Sequence, residues 1–358
     1  GSEMCIRDRK GCVSCNICDT SFGNFIKVMH KIILYIISVL TVFTSCTTTD
    51  VPDKVSLQPQ VMNDSLLTTM PGDLLLIDDY LVWSDPFSDN KFLHVHRSSD
   101  GKYIGSMGQK GEGPQEFVSP LINRFSINRC IAAHDVNGKT RGYLSIDSLI
   151  VGKEPFMSLS DFDRNIRMAK LDEQLYLTET ENGENDYFKV SSNGKKSTFG
   201  VYPIREVKHH MGTYKTYDKD RGLLAFGPFN FSYLALYKKE GDNFKLLWER
   251  MPEKENYSVV DGAIRFDRSV MGVRDICMTK DYIVTLERDR EVDPLDERTV
   301  GRNASKCPRT VFVYDYDGKL LKIVNLGMPV MRIAADGRSN ALYVIGVNPD
   351  FALAKYDL

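Results

Sequence analysis

An all-β chain folded as a six-bladed β-propeller is what this sequence predicts, and three observations carry the prediction. Apolar runs of four or five residues, rich in β-branched and aromatic types, recur from about residue 66 to the end, and that is the composition of strands. Asn/Asp-Gly-Lys punctuates them at Asp100-Gly101-Lys102, Asn137-Gly138-Lys139, Asn193-Gly194-Lys195 and Asp317-Gly318-Lys319; Asn-Gly and Asp-Gly supply the positive φ angles of a tight hairpin. The stretch they occupy, about 290 residues, holds six units of roughly 45–50 residues, the size of a four-stranded blade.

From the N-terminus, the first recognisable element is a leader. Met29-His30-Lys31 is a short basic start, residues 32–43 are almost wholly apolar, and Thr44-Ser45-Cys46 ends the run with small residues, the order of parts in a secretory signal peptide. The apolar run falls short of the about 20 residues a membrane-spanning helix needs. A Cys directly after Thr-Ser resembles the lipobox of bacterial lipoproteins, with Phe43 where many lipoboxes carry Leu. The resemblance implies that Cys46 is acylated and that residues 29–45 are removed. Residues 1–28 then stand ahead of the signal peptide. Glu3-Met4-Cys5-Ile6-Arg7-Asp8-Arg9 resembles a translated sequencing-adapter string, and the stretch after it has no periodicity, which marks 1–28 as a gene-model artefact. The C-x2-C-x2-C spacing of Cys12, Cys15 and Cys18 would suit a metal cluster, but it lies upstream of the signal peptide and would leave with it.

Charge and cysteine content narrow the class. Without residues 1–45, which hold five of the chain's 46 Lys/Arg and three of its 48 Asp/Glu, 41 basic and 45 acidic residues remain, a net charge of about −4 over 313 residues. No basic excess or stripe of the kind a nucleic-acid binder carries is present. Beside Cys46 only Cys130, Cys277 and Cys307 are left. Three thiols allow one disulfide at most, and a chain of this length buries a large core without any.

Residues 46–65 read as a tether, opening with the small, polar Thr47-Thr48-Thr49-Asp50. Strand candidates beyond it include Leu74–Ile77, 80–83, 92–96, 175–178, 233–237, 244–248, 282–286, 311–314 and 342–345. No i, i+3, i+4 apolar pattern persists for the length of a helix. Glu240-Gly241-Asp242 and Asp336-Gly337-Arg338 are degenerate copies of the turn. The spacing puts the blades at 66–118, 119–160, 161–203, 204–258, 259–325 and 326–358. The last is short, and the segment near Val55-Ser56-Leu57 is expected to return and complete it, since a closed ring has no exposed strand edges.

Gly105-Ser106-Met107-Gly108-Gln109-Lys110-Gly111-Glu112-Gly113-Pro114-Gln115-Glu116-Phe117 is similar to the Gly-x-x-Gly-x-Gly-Pro-x-Glu-Phe loop of TolB-like six-bladed propeller lipoproteins from Bacteroides-type bacteria. Val273-Arg274-Asp275-Ile276, Val313-Tyr314-Asp315-Tyr316-Asp317-Gly318-Lys319-Leu320-Leu321, Ala334-Ala335-Asp336 and Leu342-Tyr343-Val344-Ile345 fit the same family. The resemblance spans residues 66–358 and implies a propeller on an envelope membrane with a binding role.

The glycine-rich loop lacks the Gly-Lys-Ser/Thr and the strand–turn–helix setting of a phosphate-binding loop. Gly108, Gly111, Gly113, Pro114, Glu116 and Phe117 read instead as an inter-blade crossing, with Phe117 plugging between blades. His94 and His96 lie two apart on a strand and share a face; with His134 or His209-His210 they are candidate ligands, although Phe92 shares their face. Asp78, Asp79, Asp135, Glu179, Asp275 and Asp336 lie near strand ends, where channel carboxylates hold calcium in some propeller hydrolases. No Gly-x-Ser-x-Gly elbow occurs. Arg274-Asp275, ahead of the inner-strand candidate Ile276-Cys277-Met278, is the one pair singled out as a candidate to face the channel, with a structural ion pair the favoured reading of it.

No catalytic residue, metal set or cofactor is assigned. The residues favour binding over catalysis: a lipid-anchored outer-membrane propeller, on the periplasmic face or at the cell surface, that engages an envelope protein or glycan and no nucleic acid. Asp50 and Asp53 are the first acids after Cys46, which tells against surface display. The alternative is a tethered hydrolase or lyase with a metal in its channel.

Overall fold

In the computed structural model, which describes residues 51–158, 169–252, 257–266, 272–294 and 304–358, short strands build six mainly antiparallel sheets arranged as propeller blades. Each blade begins beside the central channel, at Leu74–Ile77, Pro120–Ile122, Ala169–Asp172, Thr213–Asp218, Asp275–Met278 and Val330–Ala334 in blades one to six. Outer strands include Tyr103–Gln109, Lys195–Phe199 and Asn243–Arg250. The second strand of blade four, Leu223–Pro228, and the inner strand of blade five, Asp275–Met278, are covered on both faces and buried at every position, whereas the inner strand Thr213–Asp218 is half-buried throughout. Outer strands are partly wet and alternate polar with apolar, as Asn243–Arg250 does. One five-residue helix, α1 (Ile146–Ile150), capped by Ser145, interrupts blade two.

The core is distributed between blades rather than gathered in one place. Phe92, Val95 and Phe117 meet Ile131 and Leu144 between blades one and two. Tyr187, Phe188, Phe226 and Tyr237 form an aromatic cluster between three and four. Ala225 and Leu236 pack with Ile276 and Ile283 between four and five, Val284 and Val311 with Val344 and Tyr356 between five and six, and Trp83 with Tyr343 and Leu353 between six and one. Between two and three, Lys170 donates to the Tyr143 hydroxyl at 2.9 Å and lies over the Tyr143 and Tyr176 rings.

The ring closes close to where the chain pattern suggested, but through different residues. Gln60–Asn63 completes blade six, antiparallel to Phe351–Asp357. Val55 and Ser56 belong instead to Asp53–Ser56, which adds a fifth, parallel strand to the edge of blade five. The reading of residues 46–65 as tether is corrected accordingly: strands begin at Asp53. Side chains in Asp53–Ser56 are all exposed, which is why nothing in their pattern marked a strand. Cys46 and residues 1–50 lie outside the described residues.

The Gly turns all join antiparallel strands, yet only Asn193-Gly194 has positive φ at both residues, 51° and 78°. At Asp100-Gly101 and Asp317-Gly318 the glycine alone is left-handed, and a one-residue register slip in the hairpin absorbs the difference. A turn of the two-residue kind also occurs at Asp261-Gly262, in a hairpin that stands apart from the sheets of blades four and five.

One buried carboxyl gives a pH-dependent test of this packing. Glu287 accepts from Thr285 Oγ1 at 2.6 Å and Ser232 Oγ at 2.9 Å. Burial pushes its carboxyl above the usual range, against the two hydroxyls and Arg250, which pull it down. A carboxyl raised in the folded state costs stability as pH climbs from the unfolded value through the folded one; below that window both states are protonated and nothing is lost. Glu287→Gln is therefore expected to melt above wild type at neutral pH and to lose that advantage in acid. A constant offset at all pH values would show that Glu287 is not the titrating group.

Candidate functional site

The inner strands pair on one side only, with the second strand of their own blade, so their other edge and part of their side chains face the axis. They enclose a cavity of about 730 Å³ whose walls include Leu76, Phe125, Ile127, Ile276, Met278 and Ile333. Its mouth is formed by the connections between the first and second strands, where Lys219, Asp220, Lys280 and Arg338 line the opening. The volume lies within the range of small-ligand sites.

Arg124 also lines the cavity. This residue follows the inner strand of blade two and reaches across the axis to the opposite blade, where Nη2 donates to Asp275 Oδ1 at 2.6 Å. Nε lies 3.4 Å from Asp73 Oδ1, just ahead of blade one, and the guanidinium lies 5.5 Å from the Tyr214 ring centre. Asp275 is fully buried and also accepts from the backbone N–H of Ile276 at 2.9 Å and of Ile333 at 3.0 Å. Burial works against the Arg124 charge, but Asp275 and then Asp73 outweigh it and hold its pKa above the ordinary value. Nη1 of Arg124 is buried and has no hydrogen-bond partner among the described residues.

Around the mouth every gap between neighbouring blades is bridged by a polar contact. Arg129 Nε meets Asp78 Oδ2 at 2.6 Å across blades one and two. Asn128 donates to Glu173 at 3.1 Å across two and three, and Lys219 meets Asp172 at 2.8 Å across three and four. Arg221 donates to the carbonyls of Thr279 and Lys280 at 2.7 and 2.8 Å across four and five. Asn340 donates to Asp281 at 2.8 Å across five and six, and Arg338 meets Asp79 at 3.5 Å and the Asp78 carbonyl across six and one. Exposed pairs of this kind are individually worth about 0–1 kcal/mol; a closed circle of six fixes the aperture and leaves most rim charges already partnered.

The anticipated site residues fall in different places. Asp275 heads an inner strand but is fully buried outside the cavity lining, and its partner is Arg124 rather than Arg274. Adjacent strand residues point to opposite faces, and the Arg274 guanidinium lies 4.0 Å from the Phe229 ring centre. His94 and His96 lie away from the channel, on the third strand of blade one. His94 stacks on Trp83 with centroids 4.3 Å apart, and His96 Nδ1 lies 3.0 Å from the Gly101 carbonyl; burial lowers both pKa values. Asp78, Asp79 and Asp336 are at the mouth, each beside an arginine. Asp135 accepts from the backbone of Ser119 and Asn137, and Glu179 holds Lys215. Among the described residues no three His, Cys, Asp or Glu side chains converge as a metal-ligand set.

The glycine-rich loop makes the crossing from blade one to blade two. Phe117 is fully buried, edge-on to Phe92 of one blade and Phe156 of the next. Gly113 N–H donates to Glu116 at 2.8 Å, while Pro114 faces solvent. Arg124 escaped sequence reasoning, because nothing local distinguishes it and its partner is 151 residues away.

The family model described as TolB-like 6-blade propeller-like matches residues 50–337. Among solved structures, a member of the duf4221 family from Bacteroides vulgatus aligns over 85% of this chain and 98% of its own, at 9% identity and a TM-score of 0.53. A calcium-binding regucalcin from Agrobacterium tumefaciens aligns over 86% and 96% at 8% identity, with a TM-score of 0.49. No curated protein matches the chain.

Proposed function

We propose, for a chain that belongs to the TolB-like six-bladed propeller family, that it is a lipid-anchored envelope protein whose central chamber binds part of a protein or glycan ligand. The chamber carries the binding reading: about 730 Å³, one rigid polar mouth, and a floor closed by Arg124. The Thr44-Ser45-Cys46 sequence after an apolar run supports the anchor and an outer-membrane location. The carboxylates that a channel metal would need are individually tied to arginine, lysine or backbone N–H groups, which favours binding over metal-assisted hydrolysis.

Two variants test the halves separately. Cys46→Ala should shift the protein from the membrane to the soluble fraction, since acyl chains contribute about 0.8 kcal/mol per buried methylene; retention on the membrane would remove the anchor from the proposal. Ser126→Trp fills the chamber from a side chain that makes no hydrogen bond among the described residues. It should melt like wild type and emerge from native purification without the compound that mass spectrometry finds on wild type. Equal retention by both proteins would place the ligand outside the chamber.

A further inference from the structure

We infer that the chamber receives the chain end of an uncharged glycan, an assignment that rests on the chamber being the binding site. The groups left free inside it are neutral or already balanced. Ser126, Thr216 and Tyr217 line the cavity, and among the described residues their hydroxyls have no hydrogen-bond partner. Burial, and then the charges of Asp172 and Asp218, push the Tyr217 phenol up to about 12, so it remains a neutral donor. With the buried, unpartnered Nη1 of Arg124 they make a set that hydroxyl groups satisfy, because a hydroxyl donates and accepts at once. Phe125 and Tyr217 line the cavity while packing against the core between blades three and four, and the ring surface they leave uncovered is apolar area for the C–H face of a sugar.

Other ligand chemistries fit this set less well. At the floor the Arg124 guanidinium is already held by Asp275 and Asp73, and at the mouth Arg129, Lys219, Arg221 and Arg338 each hold a carboxylate, so an entering anion finds most of the basic groups already paired. A purely apolar chain would leave Arg124 Nη1 and three hydroxyls unsatisfied. A peptide needs acceptors for its backbone N–H groups, and most carboxylates at the mouth are bound to basic side chains. Because Arg124 is held across the axis by Asp275 and Asp73 and obstructs the far end, a polymer enters by its terminus.

Calorimetric titration of the full chain with neutral gluco-, xylo-, manno- and chito-oligosaccharides tests this. At least one series is expected to bind with an affinity indifferent to salt. Tyr217→Phe, which keeps the ring, should weaken it about tenfold, the scale of one lost hydrogen bond. A bulky aryl group on one end of the sugar should abolish binding, and the same group on the other end should be tolerated. If no saccharide binds while a random peptide pool does, and Ser126→Trp abolishes that, the glycan assignment is overturned and the chamber stands. Saccharide binding that ignores both Tyr217→Phe and Ser126→Trp would overturn the chamber itself. Failure of every saccharide and of the peptide pool also overturns the glycan assignment.

Discussion

Asp275→Ala is expected to lower the melting temperature by on the order of 10 °C, the counterpart of about 3–5 kcal/mol for removing one partner of a buried ion pair. The size follows from what Asp275 holds. Its two oxygens accept from Arg124, from its own neighbour Ile276 and from Ile333 on the next blade, and it is fully buried. Alanine strips acceptors from two backbone N–H groups and leaves the channel guanidinium with Asp73 alone, at 3.4 Å. Asp73→Ala is the control: its side chain is 29% exposed, so its loss should cost less than about 1 kcal/mol. Asp275→Asn, which keeps an acceptor but not the charge, should fall between them. Thermal melts of the three variants check the order, and an Asp275→Ala protein that melts with Asp73→Ala would show that the trans-channel pair does not hold the blades together.

How far the molecule was legible before its structure follows from which interactions are local. Strands such as Leu223–Pro228 and Asp275–Met278 are buried on both faces, and outer strands on one, so their apolar runs and alternations are printed directly in the chain. Turns such as Asn193-Gly194 are local too. The all-exposed Asp53–Ser56 strand could not be read, because it buries no side-chain face and pairs with a segment more than 260 residues later. Asp275 was found because it heads a run, Ile276-Cys277-Met278, that is buried throughout. Its neighbour Arg274 came along by adjacency, although strand geometry turns the two side chains apart. Arg124 and the six contacts around the mouth join residues of different blades, and no spacing rule in one sequence marks such pairs. The binding chamber is therefore a product of ring closure: walls legible one strand at a time, floor and mouth only once the blades meet.

Phe117→Ala is expected to be as damaging as loss of Asp275, through packing rather than charge. Its ring is wholly buried, with centroids 5.1 Å from Phe92 and 5.9 Å from Phe156, so it is shared between two blades that the crossing loop must join. Truncating a buried Phe costs about 3–5 kcal/mol, the larger figure where neighbours cannot collapse into the gap, and two blades fixed by their own hydrogen bonds have little freedom to do so. The glycines of the same loop grade its constraint. A side chain at Gly108 would meet the Phe92 ring at 2.5 Å, from a left-handed backbone with φ of 78°, so Gly108→Ala should also destabilise strongly. At Gly113 the backbone is not left-handed and the nearest atoms belong to the end of the Glu116 side chain, at 2.9 Å, which can swing away; Gly113→Ala should cost about 1 kcal/mol or less, the scale of one exchanged hydrogen bond. Chemical denaturation of the three variants measures the series. A Phe117→Ala protein no less stable than Gly113→Ala would mean that the blade junction is carried by Phe92 and Ile131 without the plug, and that the loop's glycines serve something other than delivering Phe117 to its place.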